Sequence, residues 1–184
     1  VPVGVAESFL QQDESGEGPD VFCLGRIEPR KQQAFAVAET PAEYSLQLAG
    51  PRSDEEYAKQ IPDFDTYWRG KLPPVELEHA YRVASVLVLP SVFEGFGLTA
   101  IEAMAAGTPV VVADTCGVAD LVAVEDLGAV YRFGDGEDYR NALQTVFDDR
   151  DAYAERAKSF VENRLLWGHI AEEYERIYES VARE

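Results

Sequence analysis

Short apolar, β-branched runs alternate along the chain with stretches in which apolar residues recur every three or four positions. The runs predict β-strands at residues 21–25, 44–50, 65–68, 85–90, 109–114 and 129–133. Strands that alternate with helices indicate right-handed βαβ units and a parallel sheet. We therefore expect an α/β fold with a Rossmann-like parallel sheet of about six strands and helices on both faces.

The helical stretches between and after the strands complete this pattern. They predict helices at residues 31–39, 53–60, 73–84, 97–106, 138–149, 150–164 and 167–184. The chain is purely helical in pattern after residue 134, so we expect a helical C-terminus. The last helix carries one apolar stripe, which predicts that it packs on the sheet; the stripe comprises Trp167, Ile170, Ala171, Tyr174, Ile177, Tyr178 and Val181.

Length and termini suggest how the chain is organised. A chain of 184 residues with 46% hydrophobic content fits one domain, which we place at residues 20–184. Residues 1–19 are rich in Gly, Ser and acids and predict a linker or loose arm. The chain begins with Val1 and its only methionine is Met104, so we expect it to be a portion of something longer.

Charge excludes some partners. The chain has 34 acidic and 16 basic residues, a formal charge of −18 and a pI near 4.4, which disfavours nucleic acid and anionic membranes as partners. No stretch is long and apolar enough to predict direct membrane insertion. Cys23 and Cys116 are isolated and predict buried thiols in a reducing, cytoplasmic compartment. The acidic excess over few lysines predicts a high-salt cytoplasm.

Two loops carry the candidate chemistry, because parallel sheets bind ligands at the carboxyl ends of their strands. The first is GRIEPRK, residues 25–31, directly after the first predicted strand. Arg26, Arg30 and Lys31 place three of the 16 cations within six residues of an otherwise acidic chain. A charged surface loop is the simpler interpretation, but an anion site accounts better for cations in this position.

The second loop is SVFEGFG, which leads into the predicted helix GLTAIEAMAA. Glycines allow a close approach of the backbone, and the free amides at a helix start favour phosphate. Glu102 lies five residues into the helix from Gly97, about 7.5 Å at ~1.5 Å per residue. We expect a diphosphate on the glycine turn, with hydroxyl-rich rings accepted by Glu94 on one side and Glu102 on the other.

Other interpretations of these residues remain open. Residues 95–100 also match the dinucleotide pattern G-x-G-x-x-A, with Asp114 as the ribose-binding acid of an NAD(P)-dependent oxidoreductase. Glu94 and Glu102 could also be the catalytic carboxylate pair of a glycosidase, although a hydrolase needs no phosphate-binding turn between them. Glu102 could also be a simple surface acid.

Residues elsewhere that resemble catalytic or metal-binding groups have simpler explanations. Asp63-Phe64-Asp65 resembles a metal-binding D-x-D, but such pairs arise by chance in so acidic a chain. His79 and His169 have no partners that suggest a triad or zinc site. We therefore expect no metal ligands among them.

GRIEPRK and FEGFGLTAIEAMAAGTPVV together resemble the nucleotide-sugar-binding half of the retaining GT-B glycosyltransferases called glycosyl transferases group 1. Residues 68–91 and 167–180 are similar to other segments of that half, so the resemblance runs from about residue 20 to the end. It implies that the chain is one half of a GT-B fold. The implied donor is a nucleoside diphosphate sugar, with no cofactor and no metal required.

The resemblance also implies roles for individual residues. Arg26 and Lys31 match the cations that hold the diphosphate, Glu94 matches the catalytic glutamate at the transferred sugar, and Glu102 matches the ribose-binding glutamate. The phosphate-binding backbone corresponds to Gly95, Phe96, Gly97, Leu98 and Thr99, and residues 69–72 match a loop that contacts the base. Gln32 stands where the family usually has glycine.

The resemblance further implies that something is absent, since the family has an N-terminal acceptor-binding domain. Residues 1–5 resemble the end of the linker between the halves, so this portion alone is expected to be inactive. The competing hypotheses are the NAD(P)-binding domain and a domain that keeps the fold for protein interactions but has lost its ligand.

Overall fold

The computed structural model describes residues 4–10 and 16–182. Its strands are β1 (Val21–Leu24), β2 (Leu46–Ala49), β3 (Val86–Leu89), β4 (Val110–Ala113) and β5 (Gly128–Tyr131). Its helices are α1 (Gln33–Glu39), α2 (Glu55–Ala58), α3 (Phe64–Tyr67), α4 (Pro74–Val83), α5 (Leu98–Ala105), α6 (Ala119–Val124), α7 (Gly136–Asp148), α8 (Arg150–Arg164) and α9 (Trp167–Ala182). Short 3₁₀ helices cover Glu7–Leu10 and Pro29–Lys31.

The strands form one parallel sheet in the order β2-β1-β3-β4-β5. The chain moves outward in one direction from β1 to β2 and in the other direction from β3 to β5. The order therefore reverses between β1 and β3, and right-handed crossovers send the helices after these two strands to opposite faces. In open parallel sheets the crevice at such a reversal is where ligands bind.

The central strands β3 and β4 are buried at every position, and the other strands are buried at part of their length, which is why they read as nearly continuous apolar runs. Adjacent residues of a strand point to opposite faces. Phe22 packs edge-on against Tyr81 of α4 on one face. On the other face Tyr131 of β5 contacts Phe35 of α1 and Tyr139 of α7. The predicted α/β fold with helices on both faces is confirmed.

One predicted strand is wrong, and the sheet of the described chain has five strands. Residues 65–68 were expected to be extended, but Phe64–Tyr67 form α3. Asp63 precedes this turn with a left-handed backbone (φ 50°), and the chain becomes extended only at Trp68, which makes a single bridge to Leu48. The indole of Trp68 donates to the carbonyl of Gly50, so its aromatic ring anchors a helical turn beside the sheet.

The two ends of the chain differ from their expected packing. Part of the predicted arm is docked on the domain: Val5 is buried and its amide donates to the carbonyl of Leu165 at 2.8 Å. In α9, by contrast, Ile170 is the buried residue, whereas Tyr178 and Val181 are 68% and 65% exposed. The stripe predicted to pack on the sheet therefore lies largely on the surface.

The longest helix of the described chain, α9, has 16 residues. Within residues 4–10 and 16–182, no helix combines the length and the apolar character that a transmembrane span needs.

Candidate functional site

The loop after β1 is held in place by its own charged residues. The amide of Val92 donates to the carbonyl of Arg30 at 2.9 Å, and the Arg30 guanidinium donates to the carbonyl of Phe93 at 2.9 Å. Arg30 also pairs with Glu28 at 3.0 Å. Arg30 thus fastens the loop after β1 to the loop after β3, across the point where the strand order reverses.

The loop after β3 is supported from its other side by the loop after β4. The amide of Gly117 donates to the carbonyl of Glu94 at 2.9 Å. A Cβ at residue 117 would lie 1.7 Å from the carbonyl oxygen of Gly95, so only glycine allows this approach. The backbone of Glu94 is therefore fixed from both sides.

Lys31 and Glu94 meet between these loops. The Lys31 ammonium donates a hydrogen bond to Oε2 of Glu94, and Nη1 of Arg30 lies 3.8 Å from the same oxygen. The Lys31 side chain is only 10% exposed and that of Glu94 19%. The lysine stem lies against Gly25, where a Cβ would come within 3.3 Å of Lys31 Cδ. Two cations thus surround one carboxylate in a partly desolvated position.

The start of α5 lies immediately after this pair. Gly97 is its N-cap residue with φ of 80°, a conformation that costs a side-chain-bearing residue ~1–2 kcal/mol. Gly95 is exposed, and nothing lies within 4 Å of a Cβ built on it. Leu98 is 44% exposed, while the hydroxyl of Thr99 is buried without a hydrogen-bond partner among the described residues. Phe96 is half-buried and packs against the core. The first turn of α5 therefore offers free amides at an open surface.

Glu102 lies further along α5 and is held by a residue that the sequence patterns did not single out. The Tyr81 hydroxyl donates to Oε2 of Glu102 at 2.7 Å. Burial raises the pKa of the Glu102 carboxyl, and the hydrogen bond from Tyr81 partly opposes this increase. Glu102 is therefore more than a surface acid. No local spacing relates Tyr81 of α4 to Glu102 of α5, so sequence patterns carried no signal for this contact.

Arg26 is the predicted site residue that stands apart from this cluster. Its side chain is 59% exposed, and its Nε lies 3.6 Å from Oε2 of Glu28. Its backbone is fixed, because its carbonyl accepts a hydrogen bond at 2.8 Å from the side-chain amide of the buried Gln33. Arg26 therefore extends into solvent from a rigid position at the edge of the site.

The remaining candidates lie outside the cluster. Oδ1 of Asp114 accepts a hydrogen bond from the backbone amide of Phe133 at 3.0 Å. In a dinucleotide site this carboxylate would instead bind the ribose. Asp65 pairs with Arg52 at 3.1 Å. His169 contacts the carbonyl of Glu162 at 3.2 Å. No cluster of three or more His, Cys, Asp or Glu within the described part of the chain could hold a metal ion.

The loop predicted to contact the base borders two cavities. Arg69 and Leu72 line a cavity of about 390 Å³ that His79 also borders. Lys71 and Leu72 line another of about 580 Å³, together with Phe9. Phe9 also packs edge-on against Tyr81, with ring centroids 5.9 Å apart, so the second cavity lies near the tyrosine that holds Glu102.

Known proteins resemble the chain in sequence and in fold. A phosphatidyl-myo-inositol mannosyltransferase of Mycolicibacterium smegmatis is 31% identical over 200 residues, which cover 99% of this chain and 52% of the relative. Sucrose-phosphate synthase of Thermosynechococcus elongatus has a TM-score of 0.83 at 24% identity, covering 100% of this chain and 52% of the other. HepE of Anabaena, solved with UDP and glucose, has a TM-score of 0.78 at 20% identity, covering 98% and 56%.

This chain therefore spans about half the length of each of these proteins. The family model described as "Glycosyl transferases group 1" matches residues 6–165, most of the chain. The chain belongs to the glycosyl transferases group 1 family.

Proposed function

We propose that this chain is the donor-binding C-terminal domain of a retaining glycosyltransferase, which transfers a sugar from a nucleoside diphosphate sugar to an acceptor. The observation that carries the proposal is the meeting of Lys31 and Glu94 beside the open first turn of α5. It combines a cation, an acceptor carboxylate and free helix amides at the crevice where the strand order reverses. The UDP present in the HepE structure supports a nucleotide donor.

In the proposed complex the diphosphate lies on the backbone of residues 95–99. Lys31 then neutralises charge on the phosphates as well as on Glu94, and the exposed Arg26 closes over the outer phosphate. Glu94 accepts hydrogen bonds from hydroxyls of the transferred sugar. Glu102, one and a half turns into α5, accepts from the ribose.

These groups assist the reaction by stabilising the leaving group. When the bond to the sugar breaks, negative charge accumulates on the nucleoside diphosphate. Fixed donors aimed at developing charge contribute about 2.7–4 kcal/mol each in related oxyanion sites. Lys31, Arg26 and the amides of α5 supply such donors, so the proposed chemistry requires no metal ion.

The whole reaction is proposed to need a further domain. Water exclusion and acceptor binding are assigned to an N-terminal domain linked through residues 1–19, and residues 20–184 alone are expected to bind donor weakly without turning it over. We also propose that the enzyme works in the cytoplasm, consistent with the buried free thiols of Cys23 and Cys116, and that this cytoplasm is rich in salt.

Nucleotide binding by an Arg26→Ala variant tests the proposal. Isothermal titration with UDP, GDP and ADP identifies the base, and the variant is titrated with the nucleotide that binds. A hydrogen bond to a charged group contributes about 1.5–3 kcal/mol, so we expect affinity to fall at least about tenfold. Because the Arg26 side chain is largely exposed, the variant should keep the stability of the fold.

Arg132→Ala is the matched control. Arg132 also follows a strand, is 77% exposed, and lies 3.9 Å from Asp135 in a similar weak pair. It follows β5, which β3 and β4 separate from β1 in the sheet. We expect its loss to change affinity less than twofold. Binding of reduced nicotinamide cofactor instead of nucleoside diphosphates would support the oxidoreductase alternative. Absence of any nucleotide binding would support the interaction-domain alternative.

A further inference from the structure

Tyr81 is an entirely buried residue whose hydroxyl contacts Glu102 of the proposed site. Its exposed fraction is 0%, and its ring meets Phe9 and Phe22 edge-on with centroids 5.9 and 6.1 Å apart. Its backbone carbonyl accepts from the hydroxyl of Thr108. Both the ring and the main chain are thus held in place, so the hydroxyl has a defined position.

That hydroxyl contacts only one of the two oxygens of Glu102. The bond to Oε2 is 2.7 Å long and is the one side-chain hydrogen bond that this carboxylate makes to the described residues. A glutamate side chain has three rotatable bonds and loses much conformational freedom when it is ordered. Because a rigid donor holds Oε2, the direction of Oε1 is set before any ligand arrives.

We propose that Tyr81 is a positioning residue of the donor site, which orients Glu102 so that its free oxygen accepts the ribose hydroxyls of the nucleotide. This inference rests on the proposed function, because it needs a ribose beside Glu102. Tyr81 does not touch the ligand in this arrangement. It acts through the carboxylate and thereby favours ribonucleotides over nucleotides without those hydroxyls.

The test compares a ribonucleotide with its 2′,3′-dideoxy analogue in wild type and in Tyr81→Phe. The substitution removes one oxygen and keeps the ring packing. The ribonucleotide is whichever of UDP, GDP and ADP binds wild type, and the analogue is the matching 2′,3′-dideoxy nucleoside diphosphate. We expect the variant to bind the ribonucleotide about fivefold more weakly and the analogue less than twofold more weakly, because only the former uses an oriented Glu102.

Tyr139→Phe is the matched control. Tyr139 is also fully buried, and its hydroxyl likewise forms one side-chain hydrogen bond, 2.9 Å from the hydroxyl of Thr40. Its loss should leave both affinities unchanged. A second comparison places Tyr81→Phe in a Glu102→Ala background, where it should have no further effect on ribonucleotide affinity.

Each alternative result has a distinct meaning. The role of Tyr81 would be overturned if Tyr81→Phe weakened the binding of both ligands equally. It would also be overturned if Tyr81→Phe weakened ribonucleotide binding as much in the Glu102→Ala background as in wild type. Either result would leave the proposed function intact. Equal affinity of wild type for both ligands would show that Glu102 does not contact the ribose and would also overturn the role of Tyr81. If wild type binds no nucleoside diphosphate at all, the proposed function itself fails.

Discussion

The ion pair between Lys31 and Glu94 leads to a quantitative prediction about stability. Removing one partner of a fully buried pair costs about 3–5 kcal/mol, whereas an exposed pair contributes about 0.2–1 kcal/mol. The side chains here are 10% and 19% exposed, and Arg30, 3.8 Å away, remains to compensate Glu94 when the lysine is lost. We therefore expect Lys31→Met to lower the free energy of unfolding by about 2 kcal/mol, between these limits.

The assay is a double-mutant cycle in urea with Lys31→Met, Glu94→Gln and the double variant. If the two side chains stabilise each other, the double variant loses less than the sum of the single losses, and we expect a coupling energy of about 1–1.5 kcal/mol. A loss of 2 kcal/mol in a chain of this length corresponds to a decrease in Tm of about 4–8 °C. Calorimetry provides this second measurement.

Lys59 and Glu56 form the control cycle. They are also a lysine–glutamate pair, 2.6 Å apart, but their side chains are 67% and 80% exposed. Their coupling energy should stay below about 0.5 kcal/mol. Additive losses for Lys31 and Glu94, or a coupling no larger than in the control, would refute the conclusion that partial burial makes their contact significant.

Two further predictions concern charge. Burial raises the pKa of Glu102 in the folded protein above its value in the unfolded chain. The buried carboxylate therefore lowers the stability of the fold when it is ionised, at pH values above its folded pKa. This loss of stability disappears as the pH falls below the unfolded pKa. Glu102→Gln should therefore raise Tm at pH 7 but not near pH 4. The control Glu155→Gln changes an exposed side chain and should leave Tm nearly unchanged at pH 7. A Glu102→Gln variant less stable than wild type at pH 7 would contradict this prediction. Salt should screen the repulsion within a chain of formal charge −18, because the Debye length falls from about 10 Å at 0.1 M to about 3 Å at 1 M. We therefore expect Tm to rise between 0.1 and 2 M KCl. A flat or falling Tm would be evidence against adaptation to salt.

Much of the fold could be predicted because its determinants are local. Four of the five strands lie within predicted apolar runs, and β5 begins one residue before its run, at Gly128. These runs are recognisable because a strand buried on both faces is nearly continuously apolar. The glycine turn and the start of α5 follow from Gly97, which can adopt a positive φ. The failed strand at residues 65–68 shows the limit of this approach. A run of four residues, two of them aromatic, suits either a strand or a single helical turn, and the packing of Trp68 near Gly50 selects the turn.

The apolar stripe of α9 shows a second limit of prediction from sequence. The spacing of apolar residues in α9 correctly predicts a helix, but the spacing does not say what covers the apolar side. In the described chain, Ile170 packs inward while Tyr178 and Val181 remain exposed.

By itself, the sequence determined most of the segments that form strands and helices, although not α3 and α6, and it determined which loops carry cations, glycines and acids. Backbone preferences and apolar periodicity act over a few residues, so these features can be read locally. Only the tertiary structure decided that Lys31 meets Glu94, 63 positions away, and that Tyr81 holds Glu102. Those contacts depend on β1 lying beside β3 and on α4 packing beside α5. Strand order and helix packing minimise the free energy of the whole core, so no short stretch of sequence can specify them.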